Sequence, residues 1–368
     1  MNKKNIFICC TEQSGENICY NIVSRLNLKD INIDGVCGSR TSKFLKNKYF
    51  DISDFKSIGL IEVLISIPKY LKMINFLKKK IIEKNYDLVI CIDSPDFNFY
   101  LAKSLRKKRY SNKIIQIVAP SVWAWRSGRA KKFSKLFNEI FLLFDFEKKY
   151  FEFPNFKSTF IGHPIFHIKK RKNKSRYKYI AFLPGSRENE INKLFDYFNN
   201  IEEYIYKNNL KFKIFIPTLP HLRNLIDKKI IYWKTETVIS DEVDNFDTYY
   251  DEVFLSITCS GTASLEIAKR NIPQIVIYKL NYISLLILKM LTSIKFACIL
   301  NIIEKKMIIP ELINSNLTSY KLLNLFKKMI NDKDFRNDQI QDINRILPKI
   351  ESNNSPYEIS SKRILELI

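Results

Sequence analysis

Residues 87–118 read DLVICIDSPDFNFYLAKSLRKKRYSNKIIQIV: a short apolar run, a polar turn, an amphipathic stretch of helical length and a second apolar run. The runs Asp87–Asp93 and Lys113–Val118 are apolar without alternation, the pattern of strands buried on both faces of a parallel sheet. The stretch between them is long enough for a crossover helix, which makes the whole a βαβ unit. Asn5–Cys10, Glu139–Leu143 and Thr159–Ile161 repeat the strand pattern on either side. A polar stretch, Lys169–Lys178, interrupts the rhythm, and it restarts with Tyr179–Leu183, Lys213–Ile216, Val253–Ile257 and Gln274–Ile277. The expected class is therefore α/β, with two doubly wound Rossmann-like domains facing across a cleft. The expected boundaries are 1–168, 169–345 and a C-terminal helix in 346–368 that packs back on the first domain. In such sheets ligands bind beyond the carboxyl ends of the strands, so the loops that follow the strands are where chemistry is expected.

A chain of 368 residues with 46% hydrophobic content is long enough for two cores, and neither disordered nor fibrous. Its seven cysteines have no metal-ligand spacing. Cys9, Cys10, Cys91, Cys259 and Cys298 sit in apolar runs and read as small core residues in a reducing compartment. Asn5–Cys10 is too short for the apolar centre of a secretion signal, so a cytoplasmic protein is expected. The formal charge of +23 suits nucleic acid, an anionic membrane surface or a phosphorylated substrate. Part of it also reflects a lysine-, asparagine- and isoleucine-rich composition with only 8 glycines.

Two apolar segments break the rhythm. Ile58–Lys80 places Ile67, Tyr70, Leu71, Ile74 and Leu77 on one helical face and Lys69, Lys72 and Lys79 on another, as in an interfacial membrane helix or, more commonly, a core helix with a solvated lysine face. Tyr282–Phe296 is interrupted by Lys289 and Lys295, short of the roughly 20 residues that span a bilayer.

Several strand-to-helix loops carry polar residues suited to chemistry. In Thr11–Glu16, Gly15 permits a tight turn ahead of free helix N–H groups, while Ser14 can be a helix cap and Glu12 a solvated acid. In Asp93–Asn98, Asp93 can accept a proton from an attacking hydroxyl or simply orient the loop, and Asp96 can cap the next helix. Ala119–Arg126 sets two of the three tryptophans, Trp123 and Trp125, beside Pro120 and Arg126, fit to pack the loop or to stack on a sugar. Arg129, Lys131 and Lys132 follow, which also suits a nucleic acid. Gly185, Ser186 and Arg187 combine a glycine, a hydroxyl and a planar permanent charge at a helix start, a combination that grips phosphate. Ser260, Gly261 and Thr262 open another helix whose N–H groups can cradle a diphosphate, with Glu266 one turn on to accept from a ribose. Each of these loops can equally be simple capping, but two in one half-chain, without a GxGxxG or Walker-type lysine motif, favour a nucleotide-diphosphate site.

Taken in order, these motifs resemble the lipid-A-disaccharide synthase family from Asn5 to about Leu317. The most specific is Pro120-Ser121-Val122-Trp123-Ala124-Trp125-Arg126. Ser57-Ile58-Gly59 to Leu64, Ile92-Asp93 to Asn98, Phe160-Ile161-Gly162-His163-Pro164, Leu183–Arg187, Ser260–Glu266 and Ile309-Pro310-Glu311-Leu312 support it in register. This chain departs from the pattern at Thr11 and Glu16, where the family has Gly and Asp, and at Ala119, where it has Ser. Its Leu-Pro-Asn run is Ile299-Leu300-Asn301, and the Asp that often follows Gly-His-Pro is absent.

The resemblance implies a GT-B fold and an inverting, metal-independent transfer with no cofactor. The implied substrates are UDP-2,3-diacylglucosamine as donor and 2,3-diacylglucosamine 1-phosphate as acceptor. Asp93 is then the base, with Glu12 in reserve. Substrate is expected at Ser14, Gly15, Trp123, Arg126, His163, Gly185, Ser186, Arg187, Ser260, Gly261, Thr262, Glu266 and Asn301. The expected partner is the inner-membrane surface, met peripherally, with no nucleic acid and no obligatory protein. Another GT-B sugar-nucleotide enzyme, or a non-catalytic basic nucleic-acid-binding protein, is the alternative.

Overall fold

A computed structural model describes residues 3–55, 60–123, 127–172, 177–242, 246–279 and 296–368, apart from the side chains of 60–66 and 166. The chain divides into two compact units, Met1–Phe166 with Lys349–Ile368, and His167–Pro348.

The first unit is built on seven strands: β1 Lys4–Cys10, β2 Ile31–Cys37, β3 Asn47–Asp51, β4 Leu88–Ile92, β5 Lys113–Ile117, β6 Glu139–Leu142 and β7 Lys157–Phe160. Their order is β3-β2-β1-β4-β5-β6-β7, with every pair parallel. The helices between them are α1 Gln13–Val23, α2 Ser39–Ser42, α3 Leu60–Lys84, α4 Pro95–Lys107 and α5 Arg129–Ser134. Successive strand residues face opposite sides, so Phe7, Cys9, Val89 and Cys91 join one core with Leu77, Leu101 and Phe133. Ile6, Ile8, Leu88 and Ile90 join the other with Ile18, Ile22 and Ile364. Burial on both faces explains why β4 is apolar throughout and why β1 is apolar from Ile6 to Cys10.

The second unit has six parallel strands: β8 Tyr179–Leu183, β9 Lys213–Pro217, β10 Thr237–Ser240, β11 Val253–Cys259, β12 Gln274–Tyr278 and β13 Glu311–Ile313. Their order is β10-β9-β8-β11-β12-β13. Helices α6 Glu188–Lys207, α7 Arg223–Lys229, α8 Phe246–Tyr250 and α9 Thr262–Lys269 alternate with them, followed by Ile299–Glu304, Ser319–Asn331 and Lys333–Ile346. The side chain of Gln339 extends this sheet, accepting from the backbone N–H of Gln274 at 2.7 Å and donating to its carbonyl at 2.9 Å. The last helix, Pro356–Leu367, returns to the first unit. Tyr357, Ile364 and Leu367 enter the core beside α1, and Arg363 grips the buried Glu139 of β6 with both Nε and Nη2.

Two expectations need correction. Strands β2, β3, β10 and β13 were not foreseen. Asp34 and Gly35 interrupt the apolar run of β2, while β3 and β10 are half-solvated edges and β13 has only three residues. The proposed stripe of α3 is not one surface. Ile74 and Leu77 are core residues with Met73 and Ile81, whereas Ile67 and Leu71 are 44% and 51% exposed. Among the described residues no helix is long and apolar enough to cross a membrane. Ser57-Ile58-Gly59, the 280–295 part of the second apolar segment, Trp125 and Arg126 lie outside the described residues.

Candidate active site

In the first unit, β2 and β3 run to one side of β1, and β4 to β7 run to the other. The topological switch point thus lies between β1 and β4, where Cys10 and Ile92 pair. The loops that leave these two strands meet, bringing together residues about 80 positions apart in sequence. Ser14 Oγ donates to Asp93 Oδ2, Ser94 Oγ to Glu12 Oε1 at 2.9 Å, and Thr11 Oγ1 to Ser94 Oγ at 2.7 Å. Gly15 is needed here for space, because a Cβ would lie 3.0 Å from both Asp93 Cβ and Cys10 Sγ.

Asp93 and Ser94 both have positive φ, 55° and 42°, a conformation that L-residues adopt only when their surroundings impose it. The imposing contacts are visible. Asp93 N–H continues the sheet to the Ile117 carbonyl at 2.9 Å. Its carbonyl accepts from Asn98 Nδ2 at 2.7 Å and Gln116 Nε2 at 2.9 Å. The backbone is thereby locked while the half-buried carboxylate stays directed at the Ser14 hydroxyl. Neither Asn98 nor Gln116 was foreseen, because nothing local marks a buried amide as a clamp. Glu16 is buried and bonds the N–H groups of Gly38 and Thr41 at 2.8 and 2.9 Å, so it anchors α2.

The second unit repeats the geometry. Its switch point lies between β8 and β11, where Leu183 pairs with Thr258. The loops that follow carry Gly185–Arg187 and Ser260–Thr262. Gly185 has φ +111°, and a Cβ there would stand 2.5 Å from Glu190 Oε2. Glu190 gathers this loop, with Oε2 accepting from Ser186 N–H at 3.2 Å and Oε1 from Arg187 Nη1 at 3.0 Å. The Arg187 side chain is otherwise open, 72% exposed. Glu190 stands three residues after Arg187, which occupies the N-cap position of α6 without a side-chain capping bond, and reaches back past it to the Ser186 N–H.

At the second loop, Ser260 Oγ donates to the Ala297 carbonyl at 3.0 Å, and Gly261 and Thr262 are exposed. Among the described residues no side chain caps the N-terminus of α9, which leaves its first N–H groups available with the helix dipole behind them. Cys259 is pushed up to about 12 by burial, with Glu190 adding to the shift and Arg187 opposing it. Glu266 is also pushed up by burial, against the pull of Arg270, and no described donor bonds its carboxylate.

Three expected substrate contacts are engaged elsewhere. Asn301 is fully buried, its Oδ1 accepting from Ile308 and Ile309 N–H at 2.9 Å and its Nδ2 donating to the Ile309 carbonyl at 2.7 Å. It ties the loop Ile308–Ile309 to the helix Ile299–Glu304. His163 is buried, accepts from Ile165 N–H at 3.3 Å through Nδ1, and is pushed down to about 4 by burial, so it is a neutral loop-packing ring. The indole N–H of Trp123 is given to Glu147 at 3.1 Å, leaving only the ring for a ligand.

A family model described as lipid-A-disaccharide synthetase matches residues 6–361, nearly the whole chain. The chain belongs to the lipid-A-disaccharide synthetase family. Membership makes it a glycosyltransferase of lipid A biosynthesis, and the two doubly wound units are its GT-B fold. Family relatives include the lipid-A-disaccharide synthase of Rickettsia felis, 33% identical with 98% of this chain and 95% of that protein covered. That of Rickettsia prowazekii is 31% identical with 98% of both covered. The fold of this family member is shared with the solved co-structure of S. aureus MnaA and UDP, at TM-score 0.64 and 15% identity over 99% of this chain and 98% of that one.

Proposed function

We propose that the chain transfers 2,3-diacylglucosamine from UDP-2,3-diacylglucosamine to the 6-hydroxyl of 2,3-diacylglucosamine 1-phosphate, with inversion, releasing UDP and the β-1,6-linked disaccharide 1-phosphate. Asp93 takes the proton of the attacking hydroxyl as the hydroxyl oxygen bonds the anomeric carbon opposite UDP. The bond to the diphosphate breaks in the same displacement. Arg187 and the first N–H groups of α9 supply positive charge to the departing diphosphate, the task given elsewhere to a divalent metal. Glu266 accepts from the ribose hydroxyls.

The observation that carries the reading is the carboxylate of Asp93, held by a clamped backbone at a switch point in a chain of this family. The test is UDP release from UDP-2,3-diacylglucosamine, with and without acylated acceptor, in excess chelator. Acceptor-dependent release that chelator leaves intact is expected. Release without acceptor, or activity abolished by chelator and restored by magnesium, overturns the corresponding part.

Arg187→Lys keeps one charge but loses the planar fork and the Glu190 geometry. We expect kcat/KM for the UDP-sugar to fall by roughly tenfold or more, the effect of one charge-assisted hydrogen bond. Unchanged donor kinetics removes Arg187 from the site.

Both substrates carry acyl chains, so the enzyme must meet them at the membrane surface, with α3 as part of the contact. Exposed Ile67 and Leu71, flanked by exposed Lys69, Lys72 and Lys79, form the part of this helix free to do so. Ile67→Ser with Leu71→Ser should weaken binding to anionic vesicles by about tenfold or more, given ~1 kcal/mol for each half-buried aliphatic side chain. Use of a water-soluble, short-chain donor should persist. Unaltered vesicle binding by the folded variant removes α3 from the contact.

A further inference from the structure

The loop that follows β5 is held from behind by a residue that the mechanism does not use. Glu147 is 3% exposed. Its Oε1 accepts from Trp123 Nε1 at 3.1 Å, and its Oε2 accepts from the N–H groups of Leu143 and Phe144, each at 3.1 Å. Trp123 follows β5 and Leu143 follows β6, and these strands are paired. One carboxylate therefore couples the carboxyl-end loops of two neighbouring strands.

The indole lies edge-on to Phe146 at 5.6 Å. Phe146 stacks on Phe144 at 5.5 Å, and Phe144 on His163 at 5.4 Å. Reaching back to Phe144 N–H is ordinary capping of the short turn Asp145–Tyr150. Capping does not account for the indole. A buried carboxylate is costly unless bonded, and a half-buried tryptophan gains nothing from a fixed orientation unless something uses its remaining face.

We propose that Glu147 is a positioning residue that fixes the indole of Trp123 as a rigid apolar platform for the sugar ring of the acceptor. The inference rests on the glycosyl transfer proposed above. Burial pushes the Glu147 carboxyl up to about 7, opposed by its three N–H donors. The charged groups beside it do not enter that balance: Asp145 is paired with Lys148 on the same turn, and His163, beyond Phe144, is kept neutral by burial. Protonation at Oε1, which carries the indole donor alone while Oε2 keeps the two backbone donors, would set an O–H against the indole N–H and release the indole.

The test compares full-length wild type, Glu147→Gln, Trp123→Phe and the double variant. Steady-state kinetics for each substrate over roughly pH 6–9 are paired with the indole N–H resonances of 15N-labelled protein. We expect either single change to raise the acceptor KM by about tenfold with kcat nearly kept, and the double change to be no worse than either. The wild-type acceptor KM should rise as pH falls through about 7. The Trp123 resonance, assigned by its loss in Trp123→Phe, should titrate in the same range, and Glu147→Gln should abolish both dependences. A folded Glu147→Gln enzyme with unchanged acceptor KM overturns the proposal, as do additive effects of the two changes. If Glu147→Gln does not fold, Trp123→Phe with unchanged acceptor KM has the same force. A wild type that transfers to no acceptor refutes the glycosyl-transfer reading instead, and a Trp123 resonance flat with pH then refutes the Glu147 clamp separately.

Discussion

Asp93→Asn is expected to lower kcat by roughly 10²–10⁴ while leaving the fold intact, since that is the usual worth of a positioned general base. The change is nearly isosteric and removes only the proton acceptor. The contacts that hold the loop, from Asn98, Gln116 and Ile117, all go to the main chain of residue 93 and survive it. The Ser14 hydroxyl still finds an acceptor in the amide oxygen. Loss of activity without loss of stability therefore isolates the chemistry from the architecture. Glu12 is the control, reached through Ser94 in the same cluster. Near-normal turnover by Asp93→Asn together with collapse in Glu12→Gln would move the base to Glu12.

The second large effect concerns stability. Arg363→Ala should reduce the unfolding free energy by about 3–5 kcal/mol, because it leaves the Glu139 carboxylate buried and uncompensated. Glu139 is 2% exposed in the sheet, and Arg363 meets it at 3.0, 3.1 and 2.8 Å. Among the described residues, Thr159 is the other side chain donating to that carboxylate. The same change loosens Pro356–Leu367, whose Tyr357, Ile364 and Leu367 complete the core beside α1. Such a loss is a large fraction of the ~5–15 kcal/mol by which domains are stable. Urea unfolding of the variant measures it. Combining Glu139→Leu with Arg363→Met should recover most of the loss, since an apolar pair needs no partner. A drop below about 1 kcal/mol for Arg363→Ala would mean that water reaches Glu139.

Most of the strands legible in the sequence have neighbours on both sides, although β2 does too and was missed, and β7, at an edge, was expected from Thr159–Ile161. β4 and β8 are apolar along their whole length, and β1, β5, β11 and β12 carry buried apolar runs with few polar residues, because both faces are covered, so a local run identifies them. At the sheet edges the signal fades: β3 and β10 keep one side towards solvent and have mixed composition. In β2, the buried Asp34 looks like a break, yet it is bonded by Lys84, Tyr86 and Asn47 from elsewhere in the chain. The α3 stripe failed for a related reason. Its periodicity was real, but it mixed residues that pack on the sheet with residues that face outward, and periodicity cannot say where the sheet ends.

The sequence by itself determined the family, the two runs of alternating strands and helices, and the loops that carry Asp93, Arg187 and Ser260–Thr262. All of these are written locally, in apolar runs and in motifs a few residues long. Only the tertiary structure decided that Ser14 meets Asp93, that Asn301 ties its helix to the loop Ile308–Ile309, that Glu147 holds Trp123, and that the C-terminal helix is fastened to β6. Each of those depends on which strands lie side by side. A hydrogen bond between Glu139 and Arg363, 224 residues apart, exists because the chain order β4-β5-β6 carries one residue to the surface that the returning helix covers. Residue type limits what a side chain can bond, but topology selects the partner it finds.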